Sequence, residues 1–146
     1  MTAYDEKEVQ ISPTEWVATQ ARTYEESGGT EGTDMNGSPC LLLDYLGRRS
    51  GKWHRTVLIY GRDGADYLIV ASKGGDDNHP LWYLSLQDNP EVHLRVNTER
   101  LTATAETLSA DEKARVWPHL LDVYGPYADY QKKTDRDIPV VRLRRV

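Results

Sequence analysis

The sequence predicts an α+β domain, about six mainly antiparallel strands closed into a small barrel with helices at its periphery. Two observations lead there. Short apolar runs between Cys40 and Thr107 are bounded by turn residues and joined at hairpin spacing, and helical segments interrupt them late, without the regular alternation of a doubly wound sheet. Closure into a barrel also removes exposed strand edges. The 146 residues fit one domain and can sustain a core without metal or disulfide staples.

Residues 1–11 read as a flexible lead to a single domain over 12–146. Ser12, Pro13 and Glu15 combine a capping box with proline in a first helical turn. Trp16, Gln20 and Tyr24, with Val17 and Ala21, then give an amphipathic helix that stops at Ser27, Gly28 and Gly29. Cys40–Leu46 is a short apolar strand. Thr56–Tyr60 and Asp66–Ala71 flank a five-residue connection containing Asp63-Gly64, a hairpin signal. Val92–Val96 and Arg100–Thr107 form a second hairpin, whose later strand sets Leu101, Ala103 and Ala105 on one face. His79–Leu86 reads as a short helix. Ser109 and Glu112 cap a longer one, which Pro118 should kink or restart and Gly125-Pro126 should end. Tyr127–Thr134 is a further helical turn, and Ile138–Arg144 a last strand.

The formal net charge of −5 argues against a general nucleic-acid binder, whose affinity comes from neutralising phosphates. Residues 1–34 hold eight acids against Lys7 and Arg22. Between Arg48 and Lys73 the balance reverses, with Arg48, Arg49, Lys52, Arg55, Arg62 and Lys73 against Asp63 and Asp66. A basic segment inside an acidic chain points to a local anionic ligand. Cys40 is the only cysteine, which excludes an intrachain disulfide and sets a reducing compartment as the default. No apolar run approaches a membrane span, and the N-terminus lacks the regions of a secretory signal. The expectation is a cytoplasmic protein.

Four segments could carry chemistry. In Gly47-Arg48-Arg49-Ser50-Gly51-Lys52 two glycines let the backbone turn tightly, while three cations and a hydroxyl offer donors to phosphate or carboxylate oxygens. The spacing is not that of a P-loop, and composition alone supports a solvated turn equally well. Ala71-Ser72-Lys73-Gly74-Gly75 leaves an apolar strand with paired glycines that permit close approach of a flat or anionic group, or simply end the strand. The segment from His79 to Leu86 carries aromatics that read first as core. Tyr124, Tyr127 and Tyr130 could line a pocket wall or form a core-facing stripe. No His, Cys and carboxylate cluster suggests a metal, and no nucleophile motif is present. A phosphate-type loop, a glycine-rich strand exit and aromatic walls suit a protein that holds a large, planar, anionic cofactor.

Three stretches, GRRSGKWHRTVLIYGRDGADYLIVASKGG, HPLWYLSLQDNPEV and VWPHLLDVYGPYADYQKKTDRDIPV, resemble the deazaflavin-dependent nitroreductase family of actinobacterial oxidoreductases. The resemblance implies a split β-barrel like that of the FMN-binding pyridoxamine-phosphate oxidases, loaded with coenzyme F420. It implies that Arg48, Arg49, Ser50, Gly51, Lys52 and Trp53 hold the coenzyme's phosphate and acidic tail. Ile69, Val70, Ala71, Ser72, Lys73 and Gly74 would run along its ring and ribityl chain, with Tyr127 near the ring. Tyr124, Tyr130 and Ser72 would act on the acceptor, a quinone, an activated alkene or enone, or a nitroaromatic. Peripheral contact with the inner membrane face is compatible with this family. The alternatives are an FMN-binding reductase on the same barrel and a cofactor-binding protein without turnover.

Overall fold

The computed structural model describes residues 3–146. The chain runs β1 (Gln10–Ile11), α1 (Glu15–Glu26), β2 (Asp34–Met35), β3 (Ser38–Leu46), β4 (Trp53–Ile59), β5 (Gly61–Asp63), β6 (Asp66–Val70), α2 (Leu81–Asp88), β7 (Glu91–Val96), β8 (Glu99–Thr107), α3 (Ala110–Val123), α4 (Tyr127–Lys133) and β9 (Val140–Arg145). The strands lie in the order β1-β4-β3-β7-β8-β9-β6-β5, with β2 beside β3. Six of them carry the fold, because β1, β2 and β5 are only two or three residues long. Pairing is antiparallel except between β1 and β4. β4 and β5 sit near opposite ends of this order yet are separated in the chain by Tyr60 alone. The chain therefore leaves one side of the sheet and enters the other at that corner, which curls the sheet into a split barrel.

Strand alternation divides the side chains between three apolar clusters. Leu41, Leu43, Ile69, Val92, Leu94 and Val141 face the barrel interior, which α2 caps with Trp82, Tyr83 and Leu86. Leu68 and Val70, on the other face of β6, pack under Val116 and Leu120 of α3 and Tyr127 of α4. Val17, Ala21 and Tyr24 of α1 cover Cys40, Leu42 and Val57. Tyr24 anchors that helix with its hydroxyl, which accepts from Asn97 N at 2.6 Å and donates to Cys40 O at 3.1 Å. Among the described residues no helix is long and apolar enough to cross a membrane.

Several boundaries differ from the expectation. Helix α1 is capped by Thr14, and Ser12 Oγ accepts the Thr14 N–H at 3.2 Å, so the capping-box geometry does not form. Trp16 is 59% exposed because the buried stripe runs through Val17, Ala21 and Tyr24. Helix α2 begins after Pro80 rather than at His79. The first hairpin is tighter than expected, because residues 56–59 belong to β4 and pair with β3, while β5 pairs with β6 around Gly64 and Ala65. Helix α3 continues through Pro118. The carbonyl that loses its partner there belongs to exposed Ala114, where water can accept the duty. Ser109 caps α3 as its sequence suggests, accepting Glu112 N at 3.2 Å.

The N-terminal stretch read as a flexible lead carries β1 and packs on the barrel. Tyr4 stacks on His93 at 3.6 Å between centroids and donates to Asp44 Oδ2 at 2.6 Å. Asp44 is paired across β3 and β4 with Arg55, which binds it through Nε and Nη2 at 2.7 Å each.

Candidate functional site

The basic loop joins β3 to β4 as a closed turn. Gly47 N donates to Lys52 O at 2.8 Å, and Gly51 N to Gly47 O at 3.0 Å. Gly51 takes φ +66°, a left-handed conformation that favours glycine. Ser50 Oγ accepts Lys52 N–H at 3.1 Å and lies 2.8 Å from His54 Nε2. A Cβ on Gly47 would fall 2.5 Å from that hydroxyl and 2.8 Å from that ring nitrogen, so this pair requires glycine at 47. Arg48 N donates to Ser85 Oγ at 3.2 Å and docks the loop against α2. Between them lies a groove of about 400 Å³ whose basic wall is Arg48, Arg49, Ser50 and His54, and whose apolar wall is Tyr45, Leu81 and Pro13. Among the described residues no carboxylate forms a salt bridge with Arg48, Arg49 or Lys52, whereas Arg55, Arg95 and Arg142 are all paired with acids.

The exit of β6 forms a second element. Lys73, Gly74 and Gly75 all take positive φ, at 47°, 63° and 86°. Arg136 holds this turn by donating to Ala71 O at 3.2 Å, Ser72 O at 2.9 Å and Asp76 O at 2.8 Å. Its Nη1 also lies 3.1 Å from His79 Nδ1. Because a guanidinium only donates, that nitrogen is the acceptor, which fixes a neutral His79 with its proton on Nε2. Burial and the charge of Arg136 both push the His79 pKa down, in agreement. Ser72 is almost buried, and its hydroxyl has no hydrogen-bond partner among the described residues. The turn abuts α4, since a Cβ on Gly75 would meet Tyr130 O at 2.8 Å.

The three tyrosines converge beside this turn. Tyr124 and Tyr127 meet edge to face at 4.9 Å, and the Tyr124 and Tyr130 hydroxyls are 2.9 Å apart. That hydrogen bond, with burial second, pushes the Tyr124 pKa up to about 12. Tyr127 is buried beneath the pair, and burial raises its pKa further.

The structure brings the turn of Ser72, Lys73 and Gly74 against α4, which carries Tyr130 beside Tyr124, and holds Arg48, Arg49, Ser50, Gly51 and Lys52 on a loop docked on α2 through Ser85. The groove beside the basic loop reaches Leu81, the first residue of α2, and His79 just before it meets Arg136, which holds the β6 exit turn. Other expected residues lie elsewhere. Ile69 and Ala71 are fully buried in the barrel interior, and Val70 packs in the cluster beneath α3 and α4. The Trp53 ring turns away from the groove, edge-on to Tyr4 at 5.1 Å and to His93 at 5.2 Å. Sequence reasoning missed His54, Ser85 and Arg136. Arg136 reaches a turn sixty or more positions earlier, and no local pattern signals such a contact. His54 stood four residues after Ser50, a spacing that suggests contact on a helix but not across a turn into a strand.

Comparison with known proteins gives this arrangement its context. Residues 16–144 match the model of a family described as F420H(2)-dependent quinone reductase. The F420H(2)-dependent quinone reductase Rv1261c of Mycobacterium tuberculosis is 40% identical over 126 residues, covering 84% of this chain and 85% of its own. A solved structure described as an F420-H2 dependent reductase superposes with a TM-score of 0.67 at 39% identity, over 72% of this chain and 93% of its own. Another, described as a domain-swapped dimer, gives 0.70 at 38% identity over 90% and 99%. With nearly the whole domain matched, the chain belongs to the F420H(2)-dependent quinone reductase family.

Proposed function

We propose that this chain binds reduced coenzyme F420 between the basic loop and the β6 exit and passes its hydride to a quinone. The observation that carries this reading is the basic loop, whose Arg48, Arg49 and Lys52 lack carboxylate partners among the described residues, whereas most of the other arginines are paired with acids. An anionic cofactor fits that loop, because its phosphate and carboxylates would supply the missing counter-charge. The left-handed turn at Lys73, Gly74 and Gly75 fits the close passage of a flat group. When bound, the coenzyme supplies a two-electron hydride donor.

The remaining work falls to residues of this chain. The loop cations hold the anionic part, and Tyr45 and Leu81 shield one side of it from water. A quinone that has accepted a hydride carries negative charge on oxygen and needs one proton. The Ser72 hydroxyl has a proton to offer in a hydrogen bond, and of the Tyr124–Tyr130 pair one hydroxyl donates to the other, leaving one proton free. Tyr124, held at about 12, keeps its proton at neutral pH and stabilises the oxyanion as a donor rather than as an acid. The completing proton then comes from water.

The test is a titration with oxidised and reduced F420 beside FMN, followed by menadione-dependent loss of the reduced form. Saturable F420 binding with quinone-dependent oxidation is the expected result. FMN binding in its place, or binding of neither, overturns the reading. In the same assay Tyr130→Phe combined with Ser72→Ala should lower kcat by about 100-fold with little change in coenzyme affinity. Unchanged turnover would remove both hydroxyls from the mechanism.

A further inference from the structure

The groove holds a contact that the reading above does not use. Ser50 Oγ carries one proton and two lone pairs, and one lone pair is taken by the Lys52 amide at 3.1 Å. With a neutral imidazole accepting at Nε2, 2.8 Å away, the hydroxyl proton is directed at His54 and no donor remains for a ligand. With a protonated ring, Nε2–H donates to the second lone pair, and the hydroxyl proton is released. We propose that His54 is a positioning residue for the anionic part of the coenzyme, taking up a proton on binding so that Ser50 turns from a hydroxyl closed on its own loop into a donor to the bound oxyanion. This rests on the coenzyme reading and adds proton linkage to it.

The surroundings set the sign. The loop contributes Arg48, Arg49 and Lys52, all cationic. From β3 the Tyr45 ring stacks on His54 at 5.6 Å. Gln10 of β1 is its register partner, and α2 and the segment before α1 add only Leu81, Ser85 and Pro13. Among the described residues no carboxylate lines the groove. Burial, and then the charge of Lys52, hold the free ring below its ordinary value, so it is neutral at pH 7 in the absence of ligand. An anion seated among these cations supplies the counter-charge that the imidazolium lacks. Binding therefore raises the affinity of His54 for its proton, and by linkage the coenzyme binds more tightly as pH falls. The tightening begins near the value of the bound ring and levels off below that of the free ring.

The experiment is the F420 dissociation constant from pH 8 to pH 5, read by fluorescence, for wild type, His54→Gln and Ser50→Ala. Any titration of the ligand itself is common to all three proteins and cancels in the ratios. Wild type should tighten relative to His54→Gln by about tenfold, the consequence of a one-unit rise at a single site. Parallel curves for these two proteins overturn the proposal while leaving the coenzyme reading intact. Equal tightening in Ser50→Ala also overturns it, because charge alone would then suffice. Absence of F420 binding at every pH in wild type removes the coenzyme reading and this one with it. Should the substitutions disturb the loop, imidazole NMR of the wild-type protein decides. The His54 titration must move up when F420 is saturating, and an unmoved titration refutes the linkage.

Discussion

Two sets of basic residues in this molecule have opposite surroundings. On the β8–β9 face Arg142 lies among Asp63, Glu106 and Glu112 at 2.9, 3.0 and 2.9 Å, Arg144 shares Glu106 at 2.9 Å, and Arg145 pairs with Glu99 at 2.8 Å. On the β3–β4 loop Arg48, Arg49 and Lys52 meet no acid among the described residues. Residue type does not separate the sets, but local compensation does. Charge neutralised within the fold joins strands and helices, and charge left without compensation repels itself until an anion arrives. The largest expected effect follows. Arg48→Ala with Arg49→Ala removes two charge-assisted contacts worth about 1.5 kcal/mol each, so the F420 dissociation constant should rise roughly 100-fold. The melting temperature should hold or rise slightly. A melting temperature that falls while affinity stays constant would place these arginines with the structural set.

Arg142→Ala probes the other side. Its removal leaves Asp63, Glu106 and Glu112 facing one another around a nearly buried vacancy, and breaking such a network costs about 2 kcal/mol. In a chain of this size that lowers the melting temperature by about 4–8 °C, with F420 affinity unchanged. Lost affinity at constant stability would show that the network reaches the site.

How much of this was legible in the sequence follows the same division between local and distant contacts. The six long strands, the β7–β8 hairpin and the Ser109 cap depend on neighbours in the chain, and their patterns announce them. The basic loop and the Ser72 turn were visible because glycine and charge spacing act over a few residues. The corner at Tyr60 was not, since only the closure of β4 and β5 onto different partners creates it. Nor was the packing of Tyr4, whose partners Asp44 and His93 lie at least forty positions away. Arg136 illustrates the limit best. Its role consists of hydrogen bonds to three distant carbonyls, and carbonyls carry no sequence signature. Strand alternation buries the side chains of Ile69 and Ala71 inside the barrel, a placement that the short apolar run alone did not disclose.

The smallest effect sharpens the account of the neutralised set. Asp63 joins the β5 hairpin to α3 through Arg115 at 2.8 Å and to β9 through Arg142 at 2.9 Å. Hydrogen bonds from Arg115 and then Arg142 hold its carboxyl down at about 2, from an ordinary 3.8. A carboxylate lowered on folding contributes stability that is complete above its ordinary value and is lost as pH falls toward the folded one. The loss therefore lies between about pH 4 and pH 2. The Asp63 side chain is 26% exposed and Arg115 57%, so water screens the pair and the contribution stays below that of Arg142. At pH 7 Asp63→Asn should melt a degree or two below wild type, about 0.5 kcal/mol. The gap should narrow as pH falls toward 2, where the wild-type carboxyl takes up its proton. A gap that persists undiminished at pH 2 would assign the effect to packing of the hairpin tip, leaving Arg142, but not the carboxylate it shares with Arg115, as a charge stabilised by its partners.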